Sequence, residues 1–119
     1  MEKKLFIICT VRGASDEYKQ ELEDYVAVKE SEGCTVHLPH RDTKQDQNGI
    51  DICSDNTYAI NEADEVHVFY NSKSQGTHFD LGVSFALRKK LVVVKNEEYG
   101  EGKSFPRMID EWQEMTKDQ

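Results

Sequence analysis

Positive charge is scarce in this sequence: 15 Lys and Arg stand against 23 Asp and Glu, a formal net charge of −8 at pH 7. A surface that grips a nucleic-acid backbone needs clustered Lys and Arg, so the balance argues against a polymeric nucleic-acid partner. It does not argue against a small anion, which one locally positive pocket can hold. Long apolar runs are also missing. The longest, Leu5 to Cys9 and Leu91 to Val94, fall far short of a membrane span. Met1-Glu2-Lys3-Lys4 leads straight into the first of them without the h-region of a signal peptide. The expectation is a cytoplasmic protein with no membrane partner. Cysteine is sparse too. Cys9, Cys34 and Cys53 form no Cys-x-x-Cys pair, which removes zinc-ribbon and thioredoxin chemistry and leaves thiols that act as small hydrophobes.

What remains is the material of one globular domain. The 119 residues, 37% hydrophobic and 32% charged, suit a single domain over 1–119 with one core. Leu5-Phe6-Ile7-Ile8-Cys9 is continuously apolar, as a strand buried on both faces should be. Glu65 to Tyr70 and Leu91 to Val94 read as two further strands, and Cys34 to Leu38 as a weaker one. Helical segments separate them. Ser15 is an N-cap for a helix over Asp16 to Glu32, stopped by Gly33, with Leu22 and Val26 facing the sheet and Lys29 at the rim. Ile52 to Ala63 and Thr77 to Lys89 give two more helices. Pro106 opens a last one carrying Met108, Ile109, Trp112 and Met115, an apolar stripe that either covers the sheet or forms an interface. Pro39 to Gly49 and Asn96 to Ser104 read as loops.

Strands alternating with helices predict an α/β fold, a small doubly wound parallel sheet of the Rossmann or flavodoxin-like kind. Its expected strand order is 2-1-3-4, with helices on both faces. Ligands of such sheets bind beyond the carboxyl ends of the strands where the order reverses, here between the first and third strands. The loops that meet there are Thr10 to Ala14 and Asn71 to Gly76.

Three groups of residues reach that crevice. Thr10, Arg12 and Gly13 form the first loop, with a planar guanidinium suited to phosphate and a glycine that admits close approach. Neither a Walker loop nor a dinucleotide fingerprint is present. Ser74, Gly76 and Thr77 precede a helix whose free N–H groups and dipole favour an anion, although either hydroxyl taken alone is better explained as a helix cap. Asp80 is expected on the first turn of that helix, where the dipole favours a carboxylate. His40, Arg41 and Asp42 follow the second strand and bring an imidazole, a guanidinium and a carboxylate to the same end of the sheet. His37 and His40 lack the further ligands of a metal site, and no metal or other cofactor is expected.

These residues have a collective likeness. The Thr10-Val11-Arg12-Gly13 loop, Ile60-Asn61-Glu62-Ala63-Asp64-Glu65-Val66, and Ser74-x-Gly76-Thr77-x-x-Asp80-x-Gly82 together resemble the nucleoside 2-deoxyribosyltransferase family. Within it the chain is most similar to the 2′-deoxynucleoside 5′-monophosphate N-hydrolases, over roughly Leu5 to Val94. The resemblance implies a nucleoside or nucleotide ligand, cleavage or transfer of its N-glycosidic bond, and a homo-oligomer as one arrangement. It places Asp80 at the nucleophile position, Ser74 with Thr10 and Arg12 around a 5′-phosphate, and His40 in the pocket. Three departures accompany it. The family nucleophile is Glu, one methylene longer than Asp80. The first-strand aromatic hydroxyl is replaced by Phe6. A carboxylate two helical turns before the third strand falls nearest Asn56, with Asp55 adjacent. A binding or sensor domain without turnover is therefore the competing expectation. A phosphoacceptor receiver is excluded, because Cys9-Thr10 and Tyr70-Asn71 occupy the strand ends that would need carboxylates.

Overall fold

The computed structural model describes residues 2–119. Its elements run β1 (Lys4–Ile8), α1 (Asp16–Ser31), β2 (Thr35–His37), α2 (Pro39–Asp42), α3 (Gly49–Glu62), β3 (Glu65–Phe69), α4 (Gln75–Ala86), β4 (Lys90–Lys95) and α5 (Phe105–Thr116). All pairings are parallel, and the sheet order is β2-β1-β3-β4, as the alternating pattern predicts. β1 and β3 are central, which is why every residue of β3 and all of β1 after Lys4 are buried.

Alternation along β1 assigns the two faces. Leu5, Ile7 and Cys9 pack with Val36, Leu38, Phe69 and the α1 residues Leu22 and Val26. Phe6 and Ile8 pack on the other side with Val66, Val68, Leu91, Ile60 of α3, Leu81 of α4, and Ile109 and Trp112 of α5. One helix thus covers one face and three cover the other.

Local chemistry sets the helix limits. The Ser15 hydroxyl accepts from the Tyr18 N–H at 3.1 Å to open α1, and Gly33 follows its end with φ +95°, the left-handed region that glycine tolerates. Two boundaries differ from expectation. The stretch after β2 is not all loop: Pro39 at the head of α2 supplies a preset φ, and a single turn forms there. α3 begins at Gly49 and α4 at Gln75, before the periodic apolar residues start, because Asn48 and Ser74 are the extended residues at which the chain turns into each helix. Asp80 accordingly sits in the second turn of α4, not the first.

α5 closes the open edge of the sheet. The outward N–H groups of Leu91 and Val93 donate to Thr116 Oγ1 (3.1 Å) and Gln113 Oε1 (2.6 Å), so these two edge donors are not open to another strand. Trp112 lies beneath, 3% exposed, its indole N–H donating to the Lys89 carbonyl and its ring edge-on to Phe85. Of the apolar stripe, Ile109 and Trp112 are core, Met108 is half-buried and Met115 is exposed. Trp112→Ala removes a large buried ring and should destabilise the fold by about 3–5 kcal/mol, read as a lowered midpoint in urea unfolding.

Candidate functional site

The loops after β1 and β3 meet as the topology requires. The Thr10 N–H donates to Tyr18 Oη (3.2 Å), and Thr10 Oγ1 accepts from the Asn71 side-chain amide (3.0 Å). Asn71 Oδ1 in turn accepts the Lys73 N–H at 2.9 Å, which shapes the turn into α4. Arg12 is exposed and has no ion-pair partner among the described residues, and Gly13 holds φ +74° beside it.

At the head of α4, Ser74 Oγ accepts from the Thr77 N–H at 3.1 Å, so its lone pair caps the helix while its own proton stays available. Gly76 is exposed, with no neighbour within 4 Å of where a Cβ would stand. Thr77 is fully buried, and its hydroxyl has no hydrogen-bond partner. A buried unpaired hydroxyl costs roughly 1–3 kcal/mol, which makes it an unusual feature. A further cluster carried no sequence signal: Tyr70 Oη bonds His78 Nε2 (2.9 Å), while His78 Nδ1–H donates to the Ser74 carbonyl (2.7 Å) and the imidazole meets Phe105 edge-on.

Asp80 is 5% exposed, one turn beyond Thr77 on the same helix face. Burial pushes its carboxyl up to about 7, against which the facing Asn56 side chain, itself buried, favours the ionised form. The helix dipole does not hold it down, as a first-turn position would suggest, because the second turn lies beyond the free N–H groups. Cys9, at the end of β1, is close enough to feel the carboxylate, and burial followed by that charge drives the thiol to about 12. Its thiol stays protonated, in keeping with a small hydrophobe.

Asn56 does not act alone. Its Oδ1 accepts from Thr43 Oγ1 at 2.7 Å, and Thr43 Oγ1 bonds His37 Nε2, also at 2.7 Å. His37 stacks on Phe6, with ring centroids 5.2 Å apart and planes 11° from parallel. Phe6 thus serves as a fully buried platform where the resemblance expected a hydroxyl. Asp55, the neighbouring carboxylate, is exposed and bonded by Gln47.

The residues of α2 go elsewhere. Arg41 donates to both oxygens of Asp42 (2.8 Å each), to the Val36 carbonyl (2.8 Å) and to Glu30 (3.2 Å). Asp42 also accepts the Leu38 N–H at 2.9 Å. Expected as free cleft charges, these two instead clamp α2 to the end of α1. The cause is Glu30, whose pairing with Arg41 needs the fold to be seen. His40 is half-buried on the α1 side, Nε2 4.0 Å from Glu23, with both ring nitrogens unpartnered and burial favouring its neutral form. Two open clefts of about 510 and 520 Å³ lie along α5, lined by Lys103, Arg107 and Glu111 and by Phe85, Arg88 and Trp112. Neither includes a residue of the switch-point crevice.

No family model and no curated protein sequence matches the chain. Solved structures do. A CMP N-glycosidase from Clostridium botulinum matches with a TM-score of 0.63 and 22% identity, over 92% of this chain and 81% of its own. A 2-deoxyribosyltransferase from Bacillus psychrosaccharolyticus matches at 0.68 and 17%, over 95% and 90%. A 2-deoxyribosyltransferase from Leishmania mexicana matches at 0.65 and 19%, over 87% and 80%. The chain has the flavodoxin-like fold of these nucleoside 2-deoxyribosyltransferase-type structures.

The Asp80 environment carries a stability signature. Below about pH 4 the carboxyl is neutral folded or unfolded and costs nothing. Above about 7 it is ionised in both states, and the fold bears the cost of the buried charge, on the order of 4 kcal/mol at most. Asp80→Asn should therefore melt higher than wild type at pH 8.5 and close to it at pH 4, by differential scanning calorimetry.

Proposed function

We propose that the chain belongs with the nucleoside 2-deoxyribosyltransferases, binds a nucleoside or nucleotide at the switch-point crevice, and cleaves or transfers its N-glycosidic bond, with Asp80 as nucleophile. The observation that carries this reading is the buried carboxyl of Asp80, poised near neutrality beside the unpaired Thr77 hydroxyl. The names of the structural neighbours, a CMP N-glycosidase and two 2-deoxyribosyltransferases, support the same reading. In the proposed reaction an Asp80 oxygen forms a bond to the anomeric carbon as the carbon–nitrogen bond breaks. The base leaves with the bonding electron pair and takes a proton from solvent. Water, or a second base, then attacks the same carbon and returns Asp80 as a carboxylate.

Arg12, Gly13 and Thr10 from one loop and Ser74, Gly76 and Thr77 from the other are proposed to hold the sugar and any 5′-phosphate, the free guanidinium supplying the charge. Asn56 supports Asp80. His40, Arg41 and Asp42, which face α1, are left out of it. A second reading is favoured by one observation: Asp80 is 5% exposed and shorter than Glu, which suits hydrogen bonding to sugar hydroxyls without turnover. That reading makes the chain a nucleotide or sugar-phosphate binding module.

A panel of nucleosides and their 5′-monophosphates, in ribo and deoxy forms, separates the two, with release of free base followed by chromatography. Turnover of one of them should rise with pH through about 7 as Asp80 ionises, and Asp80→Asn should lower it on the order of 10³-fold or more. Thermal stabilisation by the same panel without base release would favour the binding module; a ligand at 100 times its Kd adds about 2.7 kcal/mol. Neither release nor stabilisation would overturn both.

A further inference from the structure

β2, α3 and the residue after α2 contribute side chains to one hydrogen-bonded file, and its hydrogen positions follow from valence alone. Thr43 Oγ1 has one proton, which it gives to Asn56 Oδ1 at 2.7 Å. The 2.7 Å contact between Thr43 Oγ1 and His37 Nε2 must then carry a proton from the imidazole, so His37 is the Nε2–H donor. With its carbonyl oxygen held by Thr43, Asn56 has only its amide nitrogen left to turn toward Asp80. The bonded file therefore runs in one direction, from β2 through the residue after α2 to Asn56 of α3, whose side chain acts on the buried Asp80 of α4. It is enclosed: Thr43 is 4% exposed, Asn56 8% and Asp80 5%. Phe6 fixes the plane of the imidazole by stacking.

We propose that His37 and Thr43 are positioning residues for Asp80, which lock the Asn56 side chain with its N–H toward the Asp80 carboxyl. Without that lock the amide can turn over and present an oxygen, which repels a carboxylate and favours a protonated acid. The charged groups around the file are few. Asp42, Arg41 and Asp55 act on His37, and their effects fall behind burial, which keeps the ring neutral. Toward Asp80 the neighbouring titratable group is Cys9, whose thiol burial keeps protonated. Proton placement in the file is thus set by donors and acceptors and not by a nearby charge.

The importance of the file to catalysis rests on the function proposed for Asp80, but its test reads the carboxyl without substrate. The protein, labelled with carboxyl-¹³C aspartate, is titrated by NMR, and Asp80 is assigned by the signal missing from Asp80→Asn. Thr43→Val removes the donor while keeping the shape. The midpoint of Asp80 should move upward, leaving an ionised fraction at pH 7 lower by about threefold. Thr43→Ser should titrate like wild type, and His37→Phe should move in the same direction as Thr43→Val by a smaller amount. If the valine variant does not fold, Thr43→Ala supplies the same removal in a smaller side chain. A folded variant lacking the hydroxyl whose Asp80 titrates as wild type does would overturn the proposal. If the nucleotide panel shows turnover, the same variants should lower kcat with little change in KM; absence of turnover leaves the NMR result to stand alone.

Discussion

A carboxyl group that burial holds near neutrality, at the point where a helix meets the carboxyl ends of β1 and β3, is the constraint around which this molecule is arranged. Parallel order β2-β1-β3-β4 places the loops after β1 and β3 side by side and delivers the second turn of α4 to the ends of those strands. Helix α3 then brings Asn56 to the same place, and the chain after β2 brings Thr43 to Asn56. No single element makes the site, and a shift of any one of them would leave a buried polar group without its partner.

A second buried carboxylate shows by contrast what is unusual about the first. Glu65, 8% exposed at the start of β3, would be pushed up by burial, but His67 and Lys3 bond it at 2.9 and 3.0 Å and bring it below its ordinary range. His67 completes its own bonding with Tyr25 at 2.6 Å. Among the described residues no buried side-chain nitrogen or oxygen at that end lacks a partner. Asp80 has one opposing amide and no cation, and its neighbour Thr77 has no partner at all. Incomplete pairing at one end of a sheet and complete pairing at the other is the pattern expected when only one end must receive something from outside.

Much of the fold was legible in the sequence because apolar runs and helical periods are local. Leu5 to Cys9, Glu65 to Tyr70 and Leu91 to Val94 lie within a residue of their strands, and Ser15 caps α1 as read. The single turn of α2 was not legible, since four residues carry no period. Helix starts at Gly49 and Gln75 were missed because those first residues are polar or poor helix formers. Thr10, Arg12 and Gly13 lie on the loop after β1, Ser74 caps α4, and Gly76, Thr77 and Asp80 lie within α4. Arg41 and Asp42 misled because Glu30 sits on another helix. Thr43 and His37 were passed over for the same physical reason: the side chains they join come from three separate elements, and no spacing announces them.

The central claim is that Asp80 meets the anomeric carbon of a bound nucleoside. A crystal structure of the protein with a nucleoside 5′-monophosphate tests it most directly. The sugar should lie between the loops after β1 and β3, with an Asp80 oxygen about 3–3.5 Å from the anomeric carbon. A nucleotide seated in the α5 clefts, or one in the crevice with Asp80 bonded only to hydroxyls and turned from that carbon, would contradict it.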